Sequence, residues 1–222
     1  MKERAEYNCE ATTIEGFLQQ LAVKLVANGY WFYVTGIVPE GKDPRAVDRK
    51  LIRKYEVSVS KFTRCRRKRA GLANVQYLRH GRFFILIATH GRHDFFQEEK
   101  ARIKDVRETP IKFASYAISH RGGHAHVRIE RETYRDLKGF LLDHATRRPR
   151  EWLERTFFEL PFEPYAPVRR QLVTLWKRVN EARGVAQMEQ LTMDCLRLRR
   201  RIVRPFEDSG SASRSGSLGA SR

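Results

Sequence analysis

Asn74-Val75-Gln76-Tyr77-Leu78 and Phe83-Phe84-Ile85-Leu86-Ile87-Ala88-Thr89 are two apolar, β-branched and aromatic runs on either side of His80-Gly81. The glycine permits the tight turn that two such runs require, so the pair reads as an antiparallel β-hairpin. Upstream, Tyr30-Trp31-Phe32-Tyr33-Val34-Thr35-Gly36-Ile37-Val38 has the same character and reads as a central strand, closed by Pro39 and Gly41. Downstream, Ile111 to Ser119 and His124 to Ile129 read as a second strand pair joined at Arg121-Gly122-Gly123.

Around these strands the apolar spacing becomes helical. Phe17, Leu18, Leu21, Leu25 and Val26 predict a helix over 14–28, stopped by Asn28-Gly29. Asp43 as N-cap and Pro44 at the first position open a helix through Val47, Leu51, Ile52 and Tyr55. Gly91 to Thr109 is polar and reads as a long loop with a short helix. Helices follow through Leu137, Phe140, Leu141 and Leu142, from Pro149 through Trp152 to Phe158, and from Pro167 through Leu172, Leu175, Trp176 and Val179. This order predicts an α+β fold: an antiparallel sheet with helices packed on one side and a helical C-terminal extension. The expected division is an α+β domain over 1–145, a helical extension over 146–207, and a Ser/Gly-rich, disordered tail over 208–222.

Lys and Arg number 44 against 26 Asp and Glu, a formal net charge of +18 over 222 residues. Such an excess calls for a polyanionic partner. Nucleic acid is favoured because each neutralised phosphate releases a counterion. No run approaches the ~20 apolar residues of a membrane span, so no membrane partner is expected, and the polar N-terminus does not read as a secretory signal. Cys9, Cys65 and Cys195 are scattered and odd in number, which predicts free thiols in a reducing, cytoplasmic setting. Oligomeric state is open.

Three basic groups stand out: Arg64, Arg66, Arg67, Lys68 and Arg69; Arg147, Arg148 and Arg150; and Arg197, Arg199, Arg200, Arg201 and Arg204. The planar guanidinium suits phosphate, and aromatics from the Tyr30 to Tyr33 strand offer stacking faces for bases. Arg169 and Arg170 fall in the first turn of the Pro167 helix, a further phosphate candidate.

His124-Ala125-His126 brings two imidazoles to one strand face, where they can hold one metal ion or stand as two solvated histidines. His90, His93, Glu98, Glu99 and His120 are candidates for a further ligand, and polar loop residues otherwise. His124-Ala125-His126 with the following Val127 resembles the histidine–hydrophobe–histidine motif of HUH endonucleases, which include rolling-circle replication initiators, conjugative relaxases and REP-associated transposases. Gly123 departs from that family, which carries an apolar residue before the first histidine. The resemblance implies a divalent metal (Mg or Mn) on His124 and His126, and attack by a tyrosine on a phosphate of single-stranded DNA. The tyrosine would be Tyr134, with Lys138 one turn on, or Tyr165, which precedes the Arg169 and Arg170 turn; each reads alternatively as a packing residue, as Tyr116 does. The expected function is therefore nucleic-acid binding with metal-dependent, HUH-like cleavage of single-stranded DNA in a mobile element. The alternative is a non-catalytic DNA- or RNA-binding accessory protein.

Overall fold

The computed structural model describes residues 7–200 and 202–206. Arg201 and the 208–222 tail lie outside the described residues. The fold is α+β, built on two antiparallel sheets. The chain forms two compact units. One comprises residues 7–104 with 203–206, and the other is Asp105–Ile202. The division therefore falls at Lys104/Asp105, and the helices after residue 145 belong to the same unit as the second sheet.

The first unit is built on strands β1 (Tyr30–Ile37), β2 (Val75–His80), β3 (Phe83–Thr89) and the two-residue β4 (Lys104–Asp105), in the order β2-β3-β1-β4. The β2–β3 register pairs His80 with Phe83, so Gly81 and Arg82 form the turn, with Gly81 at φ 57. β3 also pairs with β1, matching Val34 to Leu86 and Gly36 to Phe84. A Cβ on Gly36 would run into the Phe84 ring, so the glycine makes room for it.

Strand alternation gives this sheet two apolar faces. Val34, Leu86, Ala88, Val75 and Tyr77 share one face and cluster with Tyr55, Val57 and Phe95. Tyr55 follows helix α2 (Pro44–Lys54), and Phe95 opens the short α4 (Phe95–Glu98). On the opposite face Phe17 meets the rings of Phe83 and His80 at 5.8 and 6.4 Å. Phe17 belongs to helix α1 (Ile14–Leu18), capped by Thr13. The helical run continues as a π-helical turn over Gln19–Leu25 and a 3-10 turn over Val26–Asn28, and ends on Gly29 at φ 90. Helices thus lie on both faces of this sheet.

The second unit carries β5 (Ile111–Phe113), β6 (Tyr116–Arg121) and β7 (His124–Ile129) in sequence order. The single strand expected over 111–119 is a hairpin. Its turn residues Ala114 and Ser115 take φ 46 and 66 with no glycine to mark them. The β6–β7 turn is Gly122-Gly123, both at positive φ, as a two-residue hairpin loop of this kind needs. Ile111, Ile118, Val127 and Ile129 are buried on one face. Helices α5 (Arg131–Ala145), α6 (Arg150–Glu159) and α7 (Ala166–Val185) complete the unit. Gln171 of α7 bonds both the N–H and the carbonyl of Ile129, closing that stretch of edge strand. Buried Arg183 donates to the carbonyls of Ala145 (2.7 Å), the last residue of α5, and Arg148 (3.0 Å), just past it, at a helix end where a cation is favoured.

Candidate nucleic-acid interface

The Arg64 to Arg69 run lies on a helix, α3 (Lys61–Arg69), with no buried residue. Ser60 caps it by accepting from the Thr63 N–H at 3.1 Å. Polar bonds hold it in place of a core. The Arg64 guanidinium donates to the Val59 carbonyl at 2.6 Å, Asn74 donates to the Arg64 carbonyl at 3.0 Å, and Arg67 pairs with Glu56. Arg64 and Arg67 therefore serve the helix's attachment. Residues 62, 65, 66 and 69 follow the i, i+3, i+4, i+7 spacing of one helical face, turned away from Arg64 and Arg67. On it stand Phe62, Cys65, Arg66 and Arg69, all exposed, with exposed Lys68 beside them. Arg66, Lys68 and Arg69 have no acidic partner among the described residues.

α2, in the same unit, makes a second cationic face. Its N-cap is Asp43, which accepts from the N–H groups of Arg45 (3.0 Å) and Ala46 (3.1 Å). Leu51 and Ile52 pack on the apolar cluster, and Asp48 is buried. The remaining arc carries Arg45, Arg49, Lys50, Arg53 and Lys54, all exposed. Arg45, Arg49 and Arg53 repeat at i+4 and so line up along the helix. Arg49 comes within 3.9 Å of Asp43, and Lys54 pairs with Glu98 at 2.7 Å. Arg45, Lys50 and Arg53 have no acidic partner among the described residues. This face is not among the three basic groups named from the sequence, although the i+4 repeat of arginines is a signal for it.

Of the further ligand candidates in the first unit, His90 is exposed with its ring 6.3 Å from that of Phe32, while His93, Glu98 and Glu99 are engaged elsewhere. His93 Nδ1 accepts from the Phe95 N–H at 3.0 Å and so caps α4. Burial, reinforced by the nearby Arg67 cation, lowers its pKa. Glu98 is held by Lys54, and Glu99 accepts from the Tyr55 hydroxyl at 2.7 Å. The strand aromatics are at most partly open to solvent. Tyr33 is buried, Phe32 packs edge-on against Phe96 at 5.4 Å, and Tyr30 and Trp31 are half-buried.

In the second unit His124 pairs with Arg121 and His126 with Ser119 across β6–β7. Alternation therefore places both histidines on one face, with Arg121 and Arg128, while Val127 and Ile129 are buried on the other. His120 pairs with Ala125 and belongs to that other face. Among the described residues no group of three or more His, Cys, Asp or Glu is placed to hold a metal ion. Mg and Mn favour oxygen ligands, carboxylates above all. Two imidazoles beside two guanidinium groups do not fit that requirement.

Tyr134 is half-buried in the first turn of α5. Burial raises its pKa, opposed by the cation of Arg178 on α7. Lys138 is half-buried one turn on. Tyr165 sits at the N-cap of α7 with the Arg200 guanidinium 4.6 Å above its ring. Tyr116 is buried, and its hydroxyl donates to the Pro161 carbonyl and accepts from the Glu163 N–H. Arg169 and Arg170 are exposed on α7. With Ala166, Val173 and Thr174 they line a shallow groove of about 390 Å³ along one face of that helix. Arg199, next to Arg200 in the chain, is exposed.

The three cysteines are free. Burial, then the neighbouring Asp48 carboxylate, pushes the Cys9 thiol up to about 12, and burial pushes Cys195 up to about 11. No protein-family model matches the chain, and no curated protein matches it in sequence. Among the described residues no helix is long and apolar enough to cross a membrane.

Proposed function

We propose that this chain is a nucleic-acid-binding protein whose principal contact surface is the outward face of α2 and α3. The observation that carries this reading is the set of exposed cations left unpaired there: Arg45, Lys50 and Arg53 on α2, and Arg66, Lys68 and Arg69 on α3. Two helices, consecutive in sequence within one unit, each turn apolar or anchoring residues inward and cations outward, and such cationic faces suit a phosphate backbone. Guanidinium groups add paired hydrogen bonds to that attraction. The chain-wide net charge of +18 supplies long-range steering toward the same partner.

The reading is a binding function, with no metal required. Strand cleavage would need a third ligand for His124 and His126 and a tyrosine on their face of the sheet. Among the described residues no third His, Cys, Asp or Glu stands with the two histidines to hold a metal ion. The test is equilibrium binding of labelled DNA and RNA oligonucleotides, followed by fluorescence anisotropy at stepped salt. A dissociation constant that rises steeply between about 50 and 200 mM salt supports the proposal. Absence of binding at the low end contradicts it. In a parallel incubation with Mn²⁺, a covalent protein–DNA adduct lost on His126→Ala would add cleavage to binding; the proposal expects none.

A further inference from the structure

We infer that the α3 surface prefers single strands, because Phe62 presents an open aromatic face on which an unpaired base stacks while Arg66 and Arg69 hold the flanking phosphates. The inference rests on the nucleic-acid reading above and names the class of nucleic acid. Phe62 is 87% exposed. A large apolar side chain so exposed on a helix with no buried residue contributes nothing to a core. Its neighbours at i+4 and i+7 are Arg66 and Arg69, so the ring lies in a short cationic stripe. The side of the helix carrying Arg64 and Arg67 is occupied by bonds to Val59 and Glu56, which fixes Phe62 outward. In a duplex the base faces are stacked on one another and closed to such a ring. In a single strand they are open, and stacking tolerates any base because each has a π-face. The expected ligand is therefore single-stranded DNA or RNA with little sequence preference.

The experiment uses the full chain and three probes: a 20-nucleotide oligo-dT, a 20-base-pair duplex, and poly-glutamate. The variants are Phe62→Ala and Phe62→Trp, each checked for native circular dichroism. Phe62 is solvent-exposed, so neither substitution disturbs the fold. The expected result is tighter binding of oligo-dT than of duplex, a roughly ten- to hundredfold loss for oligo-dT in Phe62→Ala, and duplex affinity changed less than twofold. Phe62→Trp retains oligo-dT affinity. Equal losses for both nucleic acids, or no loss for either, overturn the inference and leave nucleic-acid binding in place. Poly-glutamate bound as tightly as oligo-dT overturns it in favour of an acidic protein partner. Failure of the wild-type chain to bind either nucleic acid removes the functional reading itself.

Discussion

Arg79 and Asp48 form a buried, two-pronged ion pair, with Arg79 Nε 2.9 and 3.0 Å from the two carboxylate oxygens and Nη2 2.9 Å from one of them. Their side chains are 3% and 7% exposed. Tyr77 donates to the same carboxylate at 2.6 Å, and Arg79 also reaches Glu10 and the Gly81 carbonyl. Asp48 lies on α2 and Arg79 on β2, so this pair fixes the rotation of α2 about its axis. That rotation keeps Arg45, Arg49 and Arg53 in solvent.

Removing one member of a buried pair strands the other charge, at a cost of about 3–5 kcal/mol. Asp48→Leu and Arg79→Met are each expected to lower the midpoint of urea unfolding correspondingly. Replacing both with apolar residues recovers a large share of that loss, because no lone charge remains. Urea melts of the two single variants and the double variant, followed by circular dichroism, check this.

Glu130 caps α5 by accepting from the N–H groups of Glu132 (2.8 Å) and Thr133 (3.3 Å), and Lys112 pairs with it at 2.8 Å. The Lys112 ammonium above all, with the two N–H groups, draws its pKa from 4.5 down to about 2. A carboxyl whose folded pKa is depressed stabilises the fold above its unfolded value and loses that contribution as pH falls through the folded value. The loss therefore runs from about pH 4.5 to about pH 2. Glu130→Gln should be less stable than the parent at pH 7, and the difference should vanish near pH 2. Thermal melts across this range measure it.

Ala114 and Ser115 occupy left-handed backbone at φ 46 and 66 in the β5–β6 turn. Residues with a Cβ are disfavoured there, whereas Asn-Gly suits two consecutive positive φ values. The double substitution Ala114→Asn, Ser115→Gly is expected to stabilise the fold by about 1 kcal/mol. A rise in melting temperature with unchanged nucleic-acid affinity is the expected readout.

The same turn shows where the sequence stops being informative. Gly81 and the Gly122-Gly123 pair advertise their turns, and the strands beside them lie where alternation and β-branching put them. Ala114-Ser115 carries no such residue, so two strands read as one. Asp43, Pro149 and Pro167 mark the starts of α2, α6 and α7 through capping and fixed φ. α3 has no apolar period, because its attachment is through Arg64, Arg67, Ser60 and Asn74, and so it looked like a charge run only. The basic character of residues 64–69 was legible. That Arg64 and Arg67 turn inward while Phe62, Arg66 and Arg69 turn out depends on the helix phase, which charge counting cannot supply. The His124-Ala125-His126 spacing does place both imidazoles on one face, but the hairpin register and the strand alternation put Arg121 and Arg128 on that same face, which a His-x-His count alone does not show.

The most direct measurement of the central claim compares the parent chain with the triple variant Arg45→Glu, Arg49→Glu, Arg53→Glu by fluorescence anisotropy on a single-stranded oligonucleotide at stepped salt. All three positions are exposed, so circular dichroism and the melting temperature should stay close to the parent's. Each phosphate contact on a single strand contributes about 0.7 to the slope of log affinity against log salt, so losing three should reduce that slope by about 2. The account predicts this reduction together with a large fall in affinity at low salt. Unchanged affinity and slope in the folded triple variant would contradict it.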